Sequence, residues 1–159
     1  MRNIQYIPFS QIDPDDFLAI LNDDAVRRHL LSYAIFDTLS IRAWTRDKIQ
    51  VDALPGCRVR AVRIDDLLAG WCGIQPDDSG VELALVLSQR CWGAGKSIFN
   101  TLMHWAKELG HQEIRFHLLE TRPEYRFLKR KAREIRQTQL SGRHFTTYVL
   151  SVADPSEYD

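Results

Sequence analysis

The run VELALVLSQRCWGAGKSIFNTLMHWAKELG (81–110) governs how the rest of the chain is read. Its first seven residues are apolar almost throughout, the pattern of a strand buried on both faces. SQRCWGAGKS (88–97) follows at once. From Ile98 the apolar residues fall at helical spacing: Ile98, Phe99, Leu102, Met103, Ala106 and Leu109. A glycine turn between a buried strand and a helix start exposes backbone N–H groups with the helix dipole behind them. Such a place binds anions, a phosphate or pyrophosphate above all. Gly93 and Gly95 are expected to permit the torsions and the close approach that this cradle needs.

Two phosphate motifs compete for these residues. Gly95-Lys96-Ser97 has the ending of a Walker A loop. That loop also needs a glycine five positions before Gly95, where Arg90 stands, and a downstream strand ending in a magnesium-binding Asp. The next strand, EIRFHLLE (113–120), ends in Glu120 and holds no Asp. Read instead as Arg90-Cys91-Trp92-Gly93-Ala94-Gly95, the turn has the form [QR]-x-x-G-x-[GA] and resembles the acetyl-CoA pyrophosphate loop of the GNAT N-acetyltransferases. The resemblance runs from about Arg58 to Val152. It takes in the helix ending at Leu109-Gly110, a fifth strand at Ile114–Leu119, a helix at Arg122–Ala132, and two final strands, REIRQTQL (133–140) and HFTTYVLSV (144–152), joined at Ser141-Gly142-Arg143. Counting from Glu82 instead sets the family's Trp-Gly-x-Gly at Trp92–Gly95, with the loop ending at Ser97. Both counts put the pyrophosphate against residues 91–97, among them Lys96.

Composition bounds the rest. At 159 residues the chain reads as one domain over 1–152 with a short acidic tail at 153–159. Lysine plus arginine equal aspartate plus glutamate at 21 each, which gives no argument for nucleic acid or membrane as a partner. Three cysteines without C-x-x-C spacing speak against a disulfide framework or a zinc site. With no membrane-length apolar run and no signal peptide, a cytoplasmic monomer or homodimer is expected.

Along the chain, IQYIPF (4–9) reads as a strand. Asp13 caps a helix opening on Pro14, Asp15 and Asp16, with Phe17, Leu18, Ile20 and Leu21 on its apolar side. VRRHLLSYAIF (26–36) reads as helix or turn, and Ser40 as the cap of a helix over Ile41–Val51. RVRAVRI (58–64) and LLAGWCGI (67–74) are strands joined at Asp65-Asp66. Pro76-Asp77-Asp78-Ser79-Gly80 then turns into the strand at 81–87. The fold class expected is α+β: a GNAT-like mixed, mostly antiparallel sheet flanked by helices and splayed at the acyl-CoA site.

The resemblance implies a direct transfer. Glu82, on the cofactor strand where many family members carry Glu, would assist amine deprotonation, and a backbone N–H near Val86 and Leu87 would polarise the thioester carbonyl. An Asp or Glu within a central strand is otherwise uncommon unless paired or facing a cleft. The family's usual Asn and Tyr after the fifth strand fall near Arg122 and Lys129, neither of the usual type. Tyr125 is the nearest phenol for protonating the thiolate. Arg122 to Arg136 carries seven basic residues against Glu124 and Glu134. The stripe is a solvated face or, at Arg122 and Lys129, a contact for CoA phosphates; without interleaved aromatics it is weak evidence for nucleic acid. The five histidines show no metal-ligand spacing, although His117 lies on the fifth strand. The expected activity is acetyl-CoA-dependent N-acetylation of a primary amine, on a small molecule or a peptide N-terminus, without a metal. NDDAVRRHL (22–30) and the Trp-Gly-Ala-Gly turn resemble the branch acting on ribosomal-protein N-termini and small amines. The alternatives are a non-catalytic acyl-CoA-binding or regulatory module and a P-loop nucleotide binder.

Overall fold

The computed structural model describes residues 2–30, 33–122, 125–140 and 142–152. The tail at 153–159, Ser141 of the last turn, and positions 123–124 of the expected Arg122–Ala132 helix lie outside the described residues. The order is β1 (Ile4–Ile7), 3-10 turns at Phe9–Gln11 and Pro14–Phe17, α1 (Leu18–Leu21), α2 (Asp24–Arg27), α3 (Thr38–Asp52), β2 (Arg58–Ile64), β3 (Leu67–Asp77) and β4 (Gly80–Leu87). A 3-10 turn at Gln89–Ala94 then leads into α4 (Gly95–Glu108), β5 (Glu113–Leu119), α5 (Arg126–Lys131), β6 (Ala132–Leu140) and β7 (Arg143–Ser151). This is the α+β class expected. One seven-stranded sheet runs β1-β2-β3-β4-β5-β7-β6, antiparallel except where β4 meets β5.

That parallel seam is short. Only Glu82 with Arg115 and Leu83 with Phe116 are paired, so β4 runs on unpaired from Ala84 to Leu87 along its β5 side. The two sheet faces bury separate cores. On one, α4 lays Ile98, Phe99, Leu102, Met103 and Ala106 against Leu83, Leu87, Ile114 and Phe116. Burying Ile98, Phe99, Leu102 and Met103 stabilises the fold by about 1.5–3 kcal/mol each. On the other, α3 and the 3-10 turns enclose Phe9, Phe17, Ile41, Val59, Trp71 and Val86.

Several local expectations are corrected. Asp37, not Ser40, is the N-cap of α3: its carboxylate accepts the Ser40 N–H at 2.7 Å while Ser40 Oγ accepts the Asp37 N–H at 2.9 Å, a capping box. Pro76 and Asp77, expected in a turn, stay in the ladder opposite Val81 and Gly80, because a two-residue connection at Asp78-Ser79 suffices for the hairpin. The helix expected over Arg122–Ala132 shrinks to α5, since Ala132 already pairs with Leu150 in the sheet. β4 is not buried on both faces throughout: Glu82, Ala84 and Leu85 are half-buried beside the seam.

Gly70 closes β3 against the end of β4. Its φ is +157°, and an added Cβ would stand 1.8 Å from the Val86 carbonyl oxygen. Gly70→Ala is therefore expected to lower stability by about 3 kcal/mol or more through overpacking, read as a fall in the denaturation midpoint. A midpoint equal to that of the wild type would show that this close approach is absent in solution.

Candidate active site

The early end of the β4–β5 pairing opens a cleft of about 240 Å³. One wall is Leu85, Val86 and Leu87 of β4; another is Trp92, Gly93, Gly95 and Lys96 at the start of α4. Phe99 and Phe116 line its depth, Arg122, Tyr125, Phe127 and Leu128 close the β5 side, and Val26, His29 and Leu30 cover it from the α2 side. Among the described residues, two cations, Lys96 and Arg122, thus stand at an otherwise aromatic and aliphatic cleft.

Strand alternation decides which backbone groups face it. Ser88 N–H donates to the Ala69 carbonyl at 2.8 Å, so Ser88 and Val86 turn their peptide groups to β3 and Leu87 turns its own to the cleft. The Leu87 carbonyl there accepts the Trp92 indole N–H at 2.9 Å. Of the pair expected to supply a carbonyl-polarising donor, Leu87 alone has its N–H on the open side.

The glycine turn differs from expectation. Residues 89–94 form a 3-10 turn that uses donors internally, Cys91 N–H on Ser88 O and Gly95 N–H on Trp92 O. Cys91 and Ala94 are buried in the core, while Arg90 and Ser97 are exposed outside the cleft lining. Gly95 has φ −58° and ψ −41°, ordinary helical values, so the torsional argument for this glycine fails. Open space is its contribution: a Cβ at Gly95 would meet only Leu85 Cδ2 at 4.0 Å, and one at Gly93 only the Arg2 guanidinium, 3.7 Å away. Tyr125 lines the cleft and packs on Phe127 with ring centroids 5.9 Å apart. Lys129 is exposed on α5 and does not line it.

Glu82 is placed on the α3 face of β4, the face of Val86 but four residues earlier, so about 13 Å away along the strand. It does not line the cleft itself. The Gln75 amide donates to Glu82 Oε1 at 3.1 Å, and the Gln75 oxygen accepts Lys48 Nζ at 2.7 Å. Lys48 lies 4.2 Å from the Trp71 ring. Burial pushes the Glu82 carboxyl above the usual range, against the pull of Gln75 and His117, with the Asp77 charge adding to the rise.

Asp77 and His117 join Glu82 from two other strands. His117 Nε2 lies 3.1 Å from Asp77 Oδ2 and 3.8 Å from Glu82 Oε2, while Nδ1 faces Thr147 Oγ1 at 2.8 Å. Arg115 grips both Asp77 oxygens at 3.1 and 3.2 Å. Burial raises the Asp77 pKa, but hydrogen bonds from Arg115, His117 and the Ser79 N–H outweigh it and bring it down to about 2. A depressed carboxylate stabilises the fold fully above its unfolded pKa near 3.8 and loses that contribution as pH falls through about 2. No sequence spacing links 77, 82 and 117; the sheet register alone does. His29, which lines the cleft, likewise carries no sequence signal as a site residue. It bonds Thr121 Oγ1 at 2.8 Å, stacks edge-on to Trp92 at 5.4 Å, and is pushed below the usual imidazole pKa by burial and by Arg122 and Arg28.

No protein-family model matches the sequence, and comparison with curated proteins finds no match. Solved structures do match over nearly the whole chain. An Acinetobacter baylyi protein assigned as an acetyltransferase is 19% identical, with 95% of this chain and 93% of that one covered at a TM-score of 0.70. A Salmonella typhimurium protein of the same assignment, solved with its cofactor acetyl-CoA, is 15% identical, covering 99% and 98% at 0.68. The GNAT-family acetyltransferase of Streptococcus pneumoniae is 11% identical, covering 95% and 100% at 0.63. The fold of this chain is therefore that of the GNAT acetyltransferases.

Proposed function

We propose that this protein is an acetyl-CoA-dependent N-acetyltransferase that passes an acetyl group directly to a primary amine, on a small molecule or a peptide N-terminus. The observation that carries the reading is the broken β4–β5 seam, with the Leu87 N–H turned into the opening. The residues suit the donor. Lys96 and Arg122 offer charge to phosphates, Gly93 and Gly95 keep the approach free of Cβ atoms, and Phe99 and Phe116 offer apolar surface to the pantetheine arm. Bound acetyl-CoA supplies the activated acyl group. Leu87 N–H would polarise its carbonyl, Glu82 would take the amine proton through intervening water, and Tyr125 would protonate the departing thiolate. A donor solved in a protein of the same fold supports the choice of acetyl-CoA. The α2 segment at 22–30, which borders the cleft, is where the resemblance to the branch acting on ribosomal-protein N-termini and small amines lies.

A second reading, binding without turnover, is favoured by Arg122 standing at the cleft where the family usually has Asn. Thermal shift tests the donor. Acetyl-CoA or CoA should raise the melting temperature, by up to about 2.7 kcal/mol of stabilisation at 100 times Kd, and ATP with magnesium should not. Stabilisation by ATP–magnesium alone would overturn the proposal in favour of a nucleotide binder. Turnover is then read as CoA thiol release with amino acids and short peptides as acceptors. Tight donor binding with no release across that panel would support the binding module.

A further inference from the structure

The polar row crossing the α3 face of the sheet reaches further than Glu82. Gln75 and Asp77 come from β3, Glu82 from β4, Arg115 and His117 from β5, Thr147 from β7 and Thr138 from β6. Thr147 is 2% exposed, and its hydroxyl spans the His117 ring and Thr138 Oγ1 at 2.8 and 2.9 Å. Nε2 of His117 faces two carboxylates, which accept, so Nε2 is the donor on that side, while Thr147 Oγ1 holds Nδ1 at 2.8 Å from the other. The orientation of the ring is thereby set from behind.

We propose that Asp77 and His117 are positioning residues that set the basicity of Glu82, Asp77 by drawing the His117 N–H away from it. The inference rests on the reading of Glu82 as the base. One N–H lies between two carboxylates, and the distances show which holds it: 3.1 Å to Asp77, 3.8 Å to Glu82. Arg115 pins the Asp77 oxygens, so Asp77 does not release the ring. Among the described residues, Glu82 has the neutral Gln75 amide at hydrogen-bond distance, with Lys48 directed to the far side of Gln75. Burial and a second negative charge both make a carboxylate retain its proton more readily, and Lys48, held on the far side of Gln75, opposes them least of the neighbours. The desolvated rise in its pKa agrees with this. One side-chain oxygen or nitrogen from each of Asp77, Glu82 and His117 lies within 4.8 Å of the others. Arg115 on Asp77 and Lys48 behind Gln75 already supply the positive charge a metal would bring, so the cluster is read as a device for tuning a base.

The groups facing Glu82 are then Lys48 from α3, Gln75 and Asp77 from β3, and Arg115 and His117 from β5. Removing the two positioning groups has opposite consequences. Asp77→Asn deletes the neighbouring negative charge and leaves the His117 N–H with Glu82 as its one anionic acceptor, so Glu82 should become a weaker base. His117→Gln removes the imidazole and leaves the Asp77 charge beside Glu82, so Glu82 should bind its proton more tightly. The readout is the titration of the Glu82 carboxyl carbon by ¹³C NMR in glutamate-labelled protein, its signal identified by loss in Glu82→Gln. The midpoint should move down by about 0.5–1 pH unit in Asp77→Asn and up by a similar amount in His117→Gln. With an acceptor in hand, the acid limb of the pH–kcat profile should move the same two ways while KM for acetyl-CoA stays within about twofold, because neither residue touches the cleft. Shifts of the same sign in both variants, or none, would overturn the proposal, as would zinc binding to the wild type that Asp77→Asn abolishes. Should Asp77→Asn fail to fold, the His117→Gln shift alone decides by its sign. The NMR titration does not depend on turnover, so an inactive wild type with opposed shifts would sink the acetyltransferase reading and leave the tuning of Glu82 standing.

Discussion

Glu82→Gln is expected to lower kcat by about 10²–10⁴-fold, the usual cost of losing a general base, while acetyl-CoA affinity stays within about twofold. The amide keeps the shape and removes the basic oxygen, and the donor cleft does not include residue 82. The deficit should shrink as pH approaches the acceptor's own pKa, about 8 for an α-amine and about 10.4 for a lysine, because the substrate then arrives deprotonated. In the wild type the rate should fall as pH drops through the raised Glu82 pKa, earlier than for an ordinary glutamate. Stability should behave differently. A carboxyl whose pKa is raised by burial favours the fold in its protonated form, a contribution lost as pH rises through that value. The neutral amide therefore avoids the burial of a charge, and the melting temperature at neutral pH should hold or rise. A pH–rate comparison alongside thermal melts checks both. An equal rate ratio at every pH would demote Glu82 to a structural residue.

Gly95→Val is expected to weaken acetyl-CoA binding by about 100-fold, near 2.8 kcal/mol, in a protein that still folds. The backbone at Gly95 is helical and the space over it is open. The valine Cβ therefore meets no clash and its backbone no torsional strain, and its better helix propensity is worth a few tenths of a kcal/mol. Its branched methyls would occupy the ground between Leu85 and Lys96 that the phosphates must cross. Isothermal titration with acetyl-CoA, paired with a melt of the free protein, separates the two effects. Unchanged affinity in the folded variant would place the donor elsewhere.

How much was legible in the sequence depended on whether a signal was local. The strand–turn–helix at 81–110 was readable because burial periodicity and a glycine turn are encoded within a few residues of one another, and α4 buries five of the six residues its spacing selected: Ile98, Phe99, Leu102, Met103 and Ala106. Glu82 stands out because a carboxylate in a central strand is unusual in itself. The capping box at Asp37 is not decided by the sequence although Asp37 and Ser40 are three apart, because either residue type serves as a cap. Composition does not distinguish a glycine needed for its torsions from one needed for its lack of a side chain, and Gly95 is of the second kind.

What the chain determined by itself was therefore the order of its elements and the place of the β4–α4 turn, since periodicity, caps and turn residues act over one or two turns of backbone. Tertiary structure alone decided the rest. Where β5 leaves β4 sets the cleft, and the β3–β4 register turns the Leu87 N–H into it; sheet register brings Asp77 and His117, forty residues apart, to within 3.1 Å; and burial gives Glu82 its raised affinity for a proton. Each of these depends on strand pairing and desolvation across the sheet, and neither leaves a mark at any fixed spacing along the chain.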